Sequence, residues 1–437
     1  MREKVVPAIW LRISPVVAQT GIVLTVLLLH SSGSGILALI GTVLAAANTL
    51  IDPNMGLPLY IITAFSSNFF QAAEGVSASR LIGLALILAY GIRLKRHVRK
   101  ATLVALVMMG LMLVWSIFSL TYSLDFSGSV DGLSVLGLNL AVAAATVLGR
   151  HADDKDAMKL IACSMASMLI FMFLFLAWKG KITIGSTGIS IGLERLTLSS
   201  QVNPNEFGRS VAQFSIFLFA YLLTGETSSL EKVALGAAYI LGLILVTGSG
   251  SRSGTFSLIA CTVLVIMLGA RRLWLSKKAV QSTFLLAVSL LTILFVMFAQ
   301  STLVNRFSLR YIIDTQGARR FVLWRLYASE VIPHHFLFGT GVGGATEVAA
   351  LGDVAPIYQM PSHNMILSLI VELGIVGLFI FGGSFVITAL HGYCVSRAQP
   401  IALPIFAVFA LSLVMGIGEP MFFSKIFWVA FSLIWCF

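Results

Sequence analysis

Apolar segments close to the length of a bilayer crossing recur along the whole chain, separated only by short polar breaks. They lie near 15–30, 34–51, 56–70, 79–94, 101–121, 131–149, 159–178, 207–224, 233–250, 254–270, 280–300, 363–391, 400–417 and 420–436. A helix needs about 20 residues to cross a bilayer, and several segments are shorter, so twelve to fourteen spans are expected. No soluble domain, low-complexity linker or repeat interrupts them. The pattern predicts an all-α, polytopic transmembrane fold: one integral domain over 1–437, with a long, partly helical loop at 301–362. Composition agrees. The chain is 58% hydrophobic and 11% charged, where soluble domains carry about 25% charged residues.

Charge sets the orientation. The opening "MREKVVPAIWLRISPVV" has no small-residue cleavage site and reads as a cytoplasmic lead-in. Alternation from there puts "RLKRHVRK" (93–100), "RHADDKDAMK" (150–159) and "RRLWLSKK" (271–278) on one side, as positive-inside sorting asks. The net charge of +11 therefore calls for no nucleic-acid partner; membrane lipids are the expected surroundings. Cys163, Cys261, Cys394 and Cys436 lie in or beside apolar stretches with no C-x-x-C pair, and read as buried thiols.

The outer side nevertheless keeps Arg80, Lys179, Lys181, Arg195, Arg209, Arg252, Arg306, Arg310, Arg319, Arg320, Arg325 and Lys425. The long loop alone has five Arg and no Lys. Sorting disfavours cations there, so a binding role is expected to retain them. A guanidinium grips phosphate through a two-pronged fork. Some of these residues could instead pair with Glu194, Asp314, Glu330 or Glu347.

Within "PSHNMILSLIVELGIVG" (361–377), Ser362 can cap a helix start and His363 would occupy the first turn. The positive end of the helix dipole favours a neutral imidazole there, able to accept a proton. At about 100° per residue, Gly374 and Gly377 share the face of His363. Glu372 falls opposite and is expected to pair with another helix. Taken alone, His363 reads as a satisfied interfacial histidine; the rest of that side changes the reading. "LERLTLSSQVNPNEFGRSVA" (193–212) places Asn203 and Asn205 around a turn at Pro204. "TGSGSRSG" (247–254) puts Arg252 in a tight reversal between spans, costly unless an anion or carboxylate meets it. "RRFVLWRLYASEVIPHHFLFGTGVGG" (319–344) starts as an amphipathic surface helix anchored by Phe321, Trp324 and Leu326 and ends in a flexible glycine-rich tail. His334 and His335 are adjacent and would point apart, and no metal site is expected.

The order NPN, SRSG, R-x4-WR…P…GxGxGG and HN-x9-GxxG resembles the O-antigen ligase and polymerase-like superfamily of membrane glycosyltransferases. The likeness covers about 195–380; the earlier spans match only in hydrophobic character, and SRSG departs from the more usual SRG. The resemblance implies transfer of a glycan from a polyprenyl-pyrophosphate carrier to an acceptor sugar hydroxyl, on the periplasmic side of the bacterial inner membrane, with no metal and no cofactor. It implies His363 as the base. It makes Arg252 and Arg320 the pyrophosphate ligands, with Arg319 as the close alternative to Arg320, Arg195 and Arg325 in support, and Asn364, Asn203 and Asn205 around them. The expected activity is O-antigen ligation onto lipid A–core. A polymerase of O-antigen or exopolysaccharide, and a protein O-oligosaccharyltransferase, remain open. A transporter of the lipid-linked glycan would line a central path with charge rather than gather it in loops.

Overall fold

The computed structural model describes residues 15–66, 69–73, 76–93, 99–149, 155–185, 188–191, 195–199, 202–272, 287, 291, 308–315, 320–344 and 362–437. Arg319, Arg306, Glu194, Glu347, Pro361 and most of the 280–300 segment lie outside them.

The described chain is a helical bundle. Its first ten helices are α1 (Pro15–Ser31), α2 (Gly35–Ile51), α3 (Pro53–Thr63), α4 (Ala78–Ile92), α5 (Lys100–Phe118), α6 (Phe126–Gly149), α7 (Lys155–Trp178), α8 (Pro204–Thr224), α9 (Ser229–Gly248) and α10 (Arg252–Arg272). Short helices α11 (Leu309–Asp314), α12 (Arg320–Leu326) and α13 (Ile332–His335) follow, then α14 (Met365–Ala398), α15 (Leu403–Met415) and α16 (Lys425–Ile434). Among the described residues the strands form two small antiparallel pairs, Gln71–Ala73 with Val76–Ser77 and Ile182–Gly185 with Gly188–Ile191. Six helices are long and apolar enough to cross a membrane, and six shorter apolar ones accompany them among the described residues. The segment expected to span at 56–70 is helical only as far as Thr63, where the 11-residue α3 ends.

The side chains are sorted as a bilayer demands. On α5 the exposed large apolar residues are Leu103, Val104, Val107, Leu111, Val114, Ile117 and Phe118, an apolar face at helical spacing, whereas Thr102 and Ser116 are buried. Lipid competes for apolar surface, so small and hydroxylic residues take the helix contacts. Cys261 and Cys436 are buried as expected; Cys163 is only partly so, and Cys394 is exposed.

One helix departs from the sequence expectation. α14 is broken at Gly374, whose φ of 69° and ψ of −175° are not helical. Such a break frees backbone groups at membrane depth, and each must find a partner. The loop 336–344 supplies them. The N–H groups of Thr340 and Gly341 donate to the carbonyls of Val371 and Glu372 at 2.8 and 2.9 Å. The N–H of Ile375 donates to the Phe336 carbonyl, and the indole of Trp115 donates to the Leu373 carbonyl at 3.0 Å. The Glu372 carboxylate accepts from the Gly343 N–H, so it holds this loop and not a neighbouring helix. Gly339, Gly341 and Gly343 all have positive φ, which glycine adopts without steric cost. The glycine-rich stretch is therefore a packed plug, not a flexible tail. A helix face shared by His363, Gly374 and Gly377 does not exist, because the break lies between them.

The surface helix also differs. Its buried anchors are Leu323, Tyr327 and Val331, packed against Val371; Phe321 is half exposed.

Candidate functional site

The chain reverses between α15 and α16 through "GIGEP" (416–420), and the start of α14 is pinned to this turn. The Met365 N–H donates to the Gly416 carbonyl at 2.7 Å, and the Asn364 amide donates to the Ile417 carbonyl at 3.2 Å. Asn364, not Ser362, is the N-cap, accepting from the Leu367 N–H at 3.0 Å. His363 thus precedes the helix instead of occupying its first turn. Its φ is 50°, and it is the one non-glycine residue with positive φ among the described residues. Such a conformation persists only where the surroundings enforce it. Here they do. The Trp324 indole donates to the Ser362 carbonyl at 2.7 Å, and the Ser362 hydroxyl donates to the Asn364 carbonyl at 2.9 Å.

What this backbone presents is an imidazole aimed at a buried carboxylate. His363 Nδ1 lies 3.0 Å from Oε2 of Glu419. Oε1 of the same carboxylate takes Arg209 at 2.6 Å and Arg320 at 3.1 Å. Arg320 also donates to the Gly418 carbonyl at 3.0 Å. The Glu419 side chain is 7% exposed. Burial alone would raise its carboxyl; the hydrogen bond from His363 and the positive charges of Arg209 and Arg320 outweigh burial and hold it below the usual carboxylate range. An ionised carboxylate only accepts, so the proton between the two groups sits on Nδ1. In the neutral ring Nε2 is then left to accept a proton. Two guanidinium groups against one carboxylate leave the cluster cationic.

Beside it opens a cleft of about 430 Å³. Arg252, Ser253 and Arg320 line it together with the apolar side chains of Phe256, Phe321, Trp324, Val414 and Ile417. The two arginines singled out from SRSG and R-x4-WR therefore meet in one cavity. The other candidates are placed differently. Arg195 donates to the Ser249 carbonyl and to the Asn205 side chain, bracing the NPN segment against the turn before α10. Asn203 caps α8 by accepting from the Asn205 N–H. Arg325 is exposed and takes no part in the Glu419 cluster.

Glu419 and Arg209 were not singled out as site residues from the sequence. One signal was available: Glu419 is the only acidic residue after Glu372, set between Gly418 and Pro420 in a break between two apolar runs. An ionisable residue kept at such a position is a functional candidate by default.

No curated protein matches the sequence. Residues 237–382 match the protein family described as O-Antigen ligase. The matched stretch contains Arg252, Arg320 and His363 and stops short of Glu419. Over this stretch, about a third of the chain, the protein is similar to the O-antigen ligase-like superfamily of membrane glycosyltransferases.

Proposed function

We propose that the protein is an O-antigen ligase of the bacterial inner membrane, working at the periplasmic face. It moves a glycan from a polyprenyl-pyrophosphate carrier to a sugar hydroxyl of lipid A–core. The observation that carries this reading is the His363–Glu419 hydrogen bond beside Arg320. Glu419 holds the imidazole in the tautomer whose Nε2 takes the proton from the acceptor hydroxyl. The acceptor oxygen forms its bond to the anomeric carbon as the bond from that carbon to the pyrophosphate oxygen breaks. The electron pair leaves with the polyprenyl pyrophosphate. Arg252 and Arg320, at the polar end of the cleft, stabilise that charge as it develops, and the apolar wall accepts the start of the lipid tail. The arginines supply the positive charge that a divalent metal supplies in other phosphate chemistry, so transfer should persist in a chelator.

The test is complementation of a deletion strain with wild type or His363→Ala, reading lipopolysaccharide on gels and the glycan left on the carrier. The deletion and His363→Ala strains should both lack O-antigen on lipopolysaccharide and accumulate long polymer on the carrier. Single repeat units on the carrier would identify a polymerase instead. Full rescue by His363→Ala at equal expression would remove His363 from the chemistry.

A further inference from the structure

The Glu419 turn divides two cavities. Gly418 lines the arginine-bearing cleft; Glu419 and Pro420 line a second, smaller one of about 220 Å³. We propose that this second cavity binds one sugar ring of the acceptor glycan next to the His363–Glu419 pair. The proposal rests on the transferase reading above.

The lining separates the two cavities chemically. The smaller one presents Glu206, Arg209, Gln213, Glu419, Ser424 and Lys425, with Phe65 and Phe423 as apolar walls. A lipid tail there would strip water from charged groups and return no hydrogen bonds, which is costly. A pyrophosphate would face the carboxylates of Glu206 and Glu419 as well as Arg209 and Lys425, a lining whose charges balance and leave no net positive charge to hold it. A neutral ring of hydroxyls meets neither objection. Each hydroxyl donates one hydrogen bond and accepts others, and the wall offers carboxylate and amide acceptors as well as guanidinium, ammonium and hydroxyl donors. The C–H faces of the ring can lie on the phenyl walls. The size agrees, since drug-sized ligands occupy about 300–1,000 Å³ and this cavity is smaller. Glu419 and Arg209 belong both to the cavity and to the catalytic cluster, so a ring seated there lies against the carboxylate that orients the base.

The competing reading is that Glu206, Arg209 and Lys425 only tie α8 to α16 as a structural charge network. The two are separated with purified full-length protein, lipid-linked O-antigen as donor and O-antigen-free lipopolysaccharide as acceptor. Glu206→Gln changes the hydrogen bonding of the wall. Ser424→Phe fills the cavity without touching a charge; the Ser424 side chain makes no capping bond. Both should raise the KM for acceptor about tenfold or more, the loss of one or two good hydrogen bonds, and leave the donor KM within about twofold. A second readout is binding of delipidated core oligosaccharide in the absence of donor, expected for wild type and lost in Ser424→Phe. Wild-type protein that binds this oligosaccharide but transfers nothing would sink the ligase reading and leave the cavity assignment standing. An unchanged acceptor KM in folded Ser424→Phe, or a rise in the donor KM instead, would overturn the assignment.

Discussion

At the scale of single residues, the site is organised by one carboxylate with three partners. Glu419 holds Arg209, Arg320 and the His363 ring at once. Removing it leaves two guanidinium groups without their counter-charge, and breaking a buried pair costs about 3–5 kcal/mol. Glu419→Ala should therefore lose both transfer and thermal stability, whereas Glu419→Gln keeps an acceptor for His363 and should lose less stability. The pH dependence has a definite sign. The folded carboxyl is held below its ordinary value, so its contribution is fully present above about pH 4.3 and is lost as pH falls through the lower folded value. Melting temperatures of purified protein should be flat in this contribution between pH 8 and 5 (~) and fall only in stronger acid; Glu419→Gln should start lower and show a smaller acid step. The arginines make a second prediction. Lys keeps the charge of Arg252 or Arg320 but loses the fork. A charge-assisted hydrogen bond is worth about 1.5–3 kcal/mol, or roughly ten- to a hundredfold in rate when it acts in the transition state. Arg252→Lys should fall in that range in a transfer assay. Arg320→Lys should fall further, because it also loosens the Glu419 turn. Arg310 is 93% exposed and 3.7 Å from Asp314, and Arg310→Ala should cost little. Equal damage at Arg310 would mean that the arginines act as a diffuse field and not as a clamp.

At the scale of elements, the broken helix α14 and the loop 336–344 behave as one piece. The segment that begins at Arg320 runs through α12 and α13 into that loop, and the loop is hydrogen-bonded into the break below His363. Arg320 and His363 are thereby held in register from two points, the break at Gly374 and the Trp324–Ser362 bond. Gly374 is the residue that permits this. A Cβ there would lie 2.2 Å from the Leu337 carbonyl oxygen, and its φ of +69° disfavours any side chain. Backbone strain alone costs about 1–3 kcal/mol, and the clash adds to it. Gly374→Ala should lower the melting temperature sharply and reduce transfer. Gly383, in the unbroken part of the same helix with nothing within 4 Å of its would-be Cβ, is the control. Gly383→Ala should be neutral or stabilising by up to about 1 kcal/mol. Equal melting of the two variants would show that the break is not a structural requirement.

At the scale of the whole molecule, the two ends of the bundle differ in chemistry. The cluster around Glu419 gathers the starts of α8, α10, α14 and α16 at one end. At the other, Lys155 meets Glu226 and Lys159 meets Glu231, tying α7 to the α8–α9 connection. On the proposed function that second end faces the cytoplasm, the side to which positive-inside sorting assigns basic loops. In a background without native cysteines, Asn203→Cys at the site end should react with a membrane-impermeant maleimide on intact cells. Glu226→Cys should react only after the inner membrane is opened. The reverse pattern would put the site in the cytoplasm and remove the ligase reading with it.

The sequence by itself determined the all-α architecture of apolar helices and the likeness of SRSG, R-x4-WR and HN-x9-GxxG to the O-antigen ligase family. These are properties of composition and short-range order. Partition into a bilayer sums over about 20 neighbouring residues, and a motif is local by definition. The partners were decided only by tertiary structure. Glu419 joins His363, Arg209 and Arg320 from distant parts of the chain, and which charges meet depends on how helices rotate and tilt against one another, which no local pattern encodes. The break at Gly374 was hidden for the same reason. A glycine in an apolar helix is usually tolerated as helix, and this one leaves the helix because a loop some thirty residues earlier (~) supplies the hydrogen bonds that a bilayer cannot.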